Sequence, residues 1–156
     1  MAYPTATVNT YKEVNINTAS QGKLILMLFD GAIKRAEESI RQLERNNIES
    51  VHRNLIRAQE IIAELRSSLN REVGGEIAIN LDRIYEYIYY LLVQGNLKKE
   101  AKSIRESIEH MRSMRDTWKE AFEIYQKEEQ AQESAPNTMT RETVDVSSTS
   151  SFNFSI

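Results

Sequence analysis

The one spacing in this chain that matches a metal-ligand pattern is Glu49-Ser50-Val51-His52. Glu-x-x-His places a carboxylate and an imidazole on one side of a helix, as in di-iron bundles, where a second copy faces the first. No second copy exists here: Glu106 is followed three residues later by Glu109, with His110 one step further. Val51 and Leu55 define the inward direction of their helix, so Glu49 and His52 fall on its flanks and read as surface residues. His110 adjoins the inward Met111 and reads as a flank residue too. Asp30 lies beside Gly31 in an apolar stretch, where a carboxylate is costly unless paired or exposed. A structural ion pair or helix-to-helix hydrogen bond is expected there rather than a catalytic acid. The chain has no cysteine, which excludes disulfides, thiolate catalysis and zinc-thiolate sites. It shows no carboxylate pair, Ser/His arrangement or phosphate-binding glycine loop. The expectation is a protein without catalytic residues, metal or cofactor.

Binding is better supported than reaction. In Thr18-Ala-Ser-Gln-Gly-Lys-Leu-Ile-Leu-Met-Leu-Phe-Asp-Gly-Ala32, a helix start runs into six consecutive apolar residues, Leu24 to Phe29. A surface helix of a bundle needs one apolar stripe roughly 100° wide. Six apolar residues in a row occupy every direction, so a second layer must cover the surplus. Residues 76–95 repeat the excess. Ile77, Leu81, Ile84, Ile88 and Leu91 are in phase with a core, while Tyr85, Tyr87, Tyr89, Tyr90, Leu92 and Val93 fill the other sides. Four tyrosines within six residues cannot share one face, since successive helical residues turn by about 100°. Tyrosine suits a half-dry interface because it carries both a ring and a hydroxyl. Open apolar surface invites aggregation, so an occupant is expected.

The elements that would position these residues follow from periodicity. With 156 residues, 40% hydrophobic and 28% charged, the chain has the size and composition of a single globular domain. The N-terminal segment, 1–19, contains Pro4 and places Val8 and Tyr11 three apart, on one side of any short helix. Ser20 is a suitable N-cap for helix one, 21–45, with Ile25, Leu28, Ala32, Ala36, Ile40 and Leu43 inward. Gly31 inside it suggests a close approach by another element. Asn46 and Asn47 end it. Helix two, 48–70, presents Ile48, Val51, Leu55, Ala58, Ile62, Leu65 and Leu69 in alternating steps of three and four, the stripe of antiparallel packed helices. Gly74-Gly75 breaks the chain before helix three, and Gly95-Asn96 reads as its stop. Helix four, 97–129, has Leu97, Ala101, Ile104, Ile108, Met111, Trp118, Phe122 and Tyr125 in phase, interrupted by Arg115. Trp118 is expected in the core. Residues 130–156 are dense in Ser and Thr, with little to bury, and read as a disordered tail. Short breaks make consecutive helices antiparallel neighbours. The predicted fold is all-α: an antiparallel up-down four-helix bundle over 20–129, with a short N-terminal segment and a disordered C-terminal tail.

Charge and hydropathy narrow the partners. A net charge of −3 and a pI near 5.5 oppose nucleic-acid binding, which needs a concentrated basic face. The one basic cluster, Lys98, Lys99, Lys102 and Arg105, is interrupted by Glu100 and Glu106. The start, Met1-Ala-Tyr-Pro-Thr5, lacks the features of a secretory signal. The run Leu24 to Phe29 is far below the roughly 20 residues that cross a bilayer. A cytoplasmic protein without membrane insertion is expected.

Three blocks, in order, resemble the FliS family, the flagellin-specific export chaperones of the bacterial flagellum. They are Thr18-Ala19-Ser20 followed by Leu24 through Ile33, then Gly74-Gly75-Glu76 through Ile88, then Met114-Arg115-Asp116-Thr117-Trp118. The resemblance covers about residues 8 to 125. Gln21 stands where that family usually has Pro, and Phe29 where Tyr is common. The resemblance implies a non-enzymatic cytoplasmic chaperone. It would bind the C-terminal segment of flagellin, prevent early polymerisation and bring its client to the flagellar type III export apparatus. It would use Leu24, Met27, Leu28 and Gly31 of helix one, with Leu81, Tyr85, Ile88, Tyr89 and Leu92 of helix three, as a client groove. Val8 and Tyr11 would cap that groove or contact the export gate. The same open surface would support a homodimer without client. The alternative is a generic helical-bundle adaptor for an amphipathic helix of another protein.

Overall fold

The computed structural model describes residues 18–135, which form four helices: α1 (Thr18–Glu44), α2 (Ile48–Ser67), α3 (Arg71–Lys98) and α4 (Ala101–Ser134). Short polar joints separate them. Asn46 takes a left-handed φ of 56°, and Asn47 caps α2 by accepting from the Ser50 N–H. Asn70 does the same for α3, accepting from the Val73 N–H at 3.1 Å. Lys99, with φ 53° and ψ 45°, ends α3.

Contacts along each pair run in opposite directions. Gly31 approaches Ile61 while Arg35 reaches Asn54, so α1 and α2 are antiparallel. Arg66–Asp82 and His52–Asn96 set α2 against α3, Gly95–Ile104 and Tyr85–Trp118 set α3 against α4, and Asp30–Arg115 and Glu37–Arg112 set α1 against α4. Each helix thus packs on two neighbours, with α1 diagonal to α3. Among the described residues the structure is an all-α, up-down-up-down bundle, as expected.

The diagonal helices meet in the centre. Phe29 of α1 lies 5.9 Å, ring to ring, from Tyr85 of α3, and the Trp118 indole N–H of α4 donates to the Tyr85 hydroxyl at 2.8 Å. Burial pushes the Tyr85 phenol well above its ordinary pKa, so it stays neutral and keeps this bond. Around the three rings pack Leu55, Ile62 and Leu65 of α2, Ile88 and Leu92 of α3, and Ile104 and Met111 of α4.

The expected stripe of α2 is buried from Val51 to Leu65, with Leu69 half-buried and only Ile48, its first residue, exposed. That of α3 is rotated. Ala78, Tyr85, Ile88, Leu91 and Leu92 are buried, whereas Ile77 is 72% exposed and Ile84 also faces out. A helix apolar on all sides does not reveal its own phase. Here the phase is set by Asp82, which must reach Arg66, and by Tyr85, which must reach Trp118. Leu97, expected at the start of the last helix, belongs to the final turn of α3 and is 74% exposed.

Glycines explain two further differences. Gly95-Asn96 does not stop α3, because Gly95 is buried inside it and a Cβ there would lie 2.5 Å from Ile104 Cγ1. Its service is close approach to α4. Gly31, expected to do this, is open: a Cβ would meet only Ile61 Cδ1, at 3.6 Å. The close approach on α1 is at Gly22, where a Cβ would fall 2.7 Å from the Phe122 ring. Gly75, with φ 53° and ψ −128°, breaks the axis of α3 where the Gly74-Gly75 pair predicts a break. At the other end α4 runs on to Ser134, past the expected boundary at 129. Residues 1–17, with Val8 and Tyr11, and 136–156, the bulk of the expected tail, lie outside the described residues.

Candidate client-binding surface

Most of the large apolar side chains exposed among the described residues sit on α3. Tyr87 shows which way they face. Its hydroxyl donates to Glu106 at 2.7 Å and its ring meets His110 edge-on at 5.4 Å, both on α4. Donation to that carboxylate holds the Tyr87 phenol above its ordinary pKa, so the ring stays neutral. Ile77 and Ile84 precede Tyr87 at helical spacing and lie towards its side of the helix, while Val73, also exposed, stands before the break at Gly75. Asp82 and Asn96 point instead to α2. The antiparallel pairing carries Ile124 of α4, 52% exposed, to the level of the first half of α3. An open apolar strip, here termed the α3/α4 groove, is thus formed by Ile77, Ile84 and Tyr87 of α3 and Ile124 of α4, with the buried Tyr85–Trp118 pair on the core side of the same two helices. Tyr90 stacks on Tyr87 at 6.4 Å and extends the patch onto the outer face.

Several charged side chains are engaged within the bundle. Arg115, the polar interruption foreseen in α4, clasps Asp30 with both guanidinium arms, the second at 3.2 Å. Asp82 accepts from Arg66 at 2.6 Å and Arg71 at 2.9 Å, and the Arg66 hydrogen bond holds its carboxyl below the usual range. Asn96 donates to His52 Nδ1 at 3.0 Å and accepts from Lys99. Among the described residues no three His, Cys, Asp or Glu side chains gather as a metal site would require. Nor is any helix among them long and apolar enough to cross a membrane.

The family model described as "Flagellar protein FliS" matches residues 4–125. The chain belongs to the FliS family. It is 35% identical over 118 residues to the "Flagellar secretion chaperone FliS" of Bacillus subtilis, covering 76% of this chain and 87% of that protein. Proteins of the same name from Vibrio cholerae and Salmonella typhimurium are 33% and 32% identical, over 71% and 76% of this chain and 85% and 91% of theirs. These relatives are named as chaperones, and the family is not one of enzymes.

The structure divides the side chains that the sequence assigned to one FliS groove. Tyr85, Ile88 and Leu92 are 1%, 0% and 0% exposed and stand in the core, because the phase of α3 turns them inward. Leu81 is half-buried and Tyr89 is exposed on α3. On α1, Met27 is 59% exposed and Leu24, Leu28 and Gly31 are half-buried, with Gly31 beside Ile61 of α2. The two sets lie on diagonal helices. Between them runs the outer face of α2, where Arg53, Arg57, Glu60 and Glu64 are exposed and Arg57 pairs with Glu60 at 3.0 Å. They are therefore two patches rather than one groove. Sequence reasoning missed Val73, Ile77, Ile84 and Ile124 as open side chains, and placed Tyr87 outside the core without assigning it to the site. The usable signal was Asp82: a carboxylate that seeks an arginine on α2 turns Ile77 and Ile84 the other way.

Proposed function

We propose that this chain is a cytoplasmic chaperone that binds the C-terminal segment of flagellin, prevents its premature polymerisation and helps deliver it to the flagellar type III export apparatus. The observation that carries the reading is the apolar stripe of α3, Ile77, Ile84 and Tyr87, open beside α4 in a member of the FliS family. A client that folds as it binds gives up several kcal/mol in ordering and needs a long apolar surface to offset it. An amphipathic helix laid in the α3/α4 groove supplies part of that surface, as in helix-in-groove recognition. The Met27 patch supplies a second part, and a client touching both must wrap around the bundle. Burial spread over separate moderate patches keeps release possible at the export gate. In this reading Val8 and Tyr11 cover a patch or meet the gate, and a homodimer forms only while client is absent.

Calorimetry with a flagellin C-terminal peptide tests the proposal. Binding at micromolar concentration or below, with a negative heat-capacity change, is expected. Absence of heat and affinity at micromolar concentrations rejects it and leaves the generic adaptor. Replacing Val8 and Tyr11 with Ala is expected to raise peptide affinity if they form a cap. Unchanged affinity with lost secretion assigns them to the gate.

A further inference from the structure

We propose that residues 152–156 of this chain, Phe-Asn-Phe-Ser-Ile, occupy the α3/α4 groove in the absence of client. The segment lies beyond the FliS match, which stops at residue 125. Residues 136–156 are rich in Ser and Thr, yet two of the four phenylalanines of the chain fall within these five positions. In an extended backbone, Phe152, Phe154 and Ile156 point to one side and Asn153 and Ser155 to the other. The apolar edge of such a strand spans about 13 Å from first to last residue. Ile77 and Ile84 lie seven residues apart, about 10 Å along α3, and are both exposed.

The tether fits as well. Ile124 belongs to the groove, and α4 carries the chain from it to Ser134, about 15 Å away. Ile84 is farther along the groove, about 28 Å from Ala135 by the same rise per residue. Between Ala135 and Phe152 stand 16 residues, 136–151. A random-coil linker of 16 residues would have a root-mean-square reach of about 24 Å and a limit of ~53 Å. Effective concentration peaks when reach matches span, in the millimolar range for short linkers. Weak apolar docking is therefore sufficient. α1 also packs on α4, so the Met27 patch is the competing site that any measurement of docking must distinguish.

The consequence for client binding rests on the chaperone reading; the docking itself does not. The chain contains no cysteine, so Ser151→Cys carries a nitroxide at one site of the full-length protein. Amide signals of Ile77, Ile84 and Tyr87 are expected to lose more than half their intensity, while Arg53 and Glu60 on α2 keep theirs. Replacing Phe152, Phe154 and Ile156 with Ser is expected to restore them. Equal intensities on α2 and α3, or broadening centred on Met27, overturn the proposal. So does broadening seen only when label and isotope reside in different molecules, which shows docking between copies. Deleting 152–156 is expected to tighten binding of a flagellin C-terminal peptide about tenfold, and an unchanged affinity counts against competition for the groove. If the peptide binds neither form, the chaperone reading falls while the broadening still decides where the tail sits.

Discussion

At the scale of single residues, Tyr85 and Ile84 are neighbours in sequence with opposite fates. Tyr85 sits at the centre of the bundle because its hydroxyl is the acceptor for the Trp118 indole. Tyr85→Phe keeps the ring but removes the hydroxyl to which the indole N–H donates, a loss of about 1–3 kcal/mol. Urea unfolding is expected to show the lower midpoint with an unchanged slope. Ile84 faces the groove, where Ile84→Asp puts a charge into water rather than into the core. Its effect on stability is expected to stay within about 0.5 kcal/mol, while flagellin-peptide affinity falls at least tenfold in calorimetry. A stability loss of several kcal/mol from Ile84→Asp would place that side chain inside. Asp82 governs which of the two turns inward. Its folded-state pKa lies below its unfolded value because Arg66 hydrogen-bonds the ionised form. The stability it contributes is complete above the unfolded pKa, near 3.9, and is lost as pH falls through the folded pKa. Asp82→Asn is expected to remove that part of the acid sensitivity, measured as unfolding midpoints between pH 6 and pH 2.

At the scale of elements, glycines separate what a sequence makes visible from what only packing reveals. The phase of α2 was legible because most positions off its stripe are polar, so one rotation alone buries the stripe. The phase of α3 was not, since apolar side chains surround it and the deciding contacts come from Arg66 and Trp118 on other helices. For the same reason the candidate site was legible as an apolar excess on this helix but not as a set of outward side chains. Gly95-Asn96 resembled a helix stop, yet the helix passes through because Ile104 needs the space a Cβ would fill. Gly95→Ala gains helix propensity of about 1 kcal/mol but pushes α3 off α4. A net destabilisation of about 1–2 kcal/mol is expected, within the range for overpacked cores. Gly31→Ala is expected to do the reverse, stabilising by up to about 1 kcal/mol, because nothing but ordinary contact awaits its Cβ. Thermal melts of the two variants side by side check both signs.

At the scale of the whole molecule, the bundle combines a sealed interior with a divided exterior. Its centre joins α1, α3 and α4 through Phe29, Tyr85 and Trp118, so the diagonal helices also touch. The exterior keeps two apolar patches apart by the charged back of α2. A client using one patch and a client wrapped over both differ in length dependence. Shortening a flagellin peptide from either end is expected to weaken binding in two separate steps, measured by calorimetry on a truncation series. A single step would mean that one patch does all the binding.

Trp118 is the only tryptophan in the chain, and its indole is held by a phenol where three helices converge. That makes its ultraviolet emission a built-in optical gauge of the interior, with no second indole to blur it. Docking on the outside leaves the colour of that light nearly constant, whereas any event that pries the rods apart admits water to the indole and shifts it to the red.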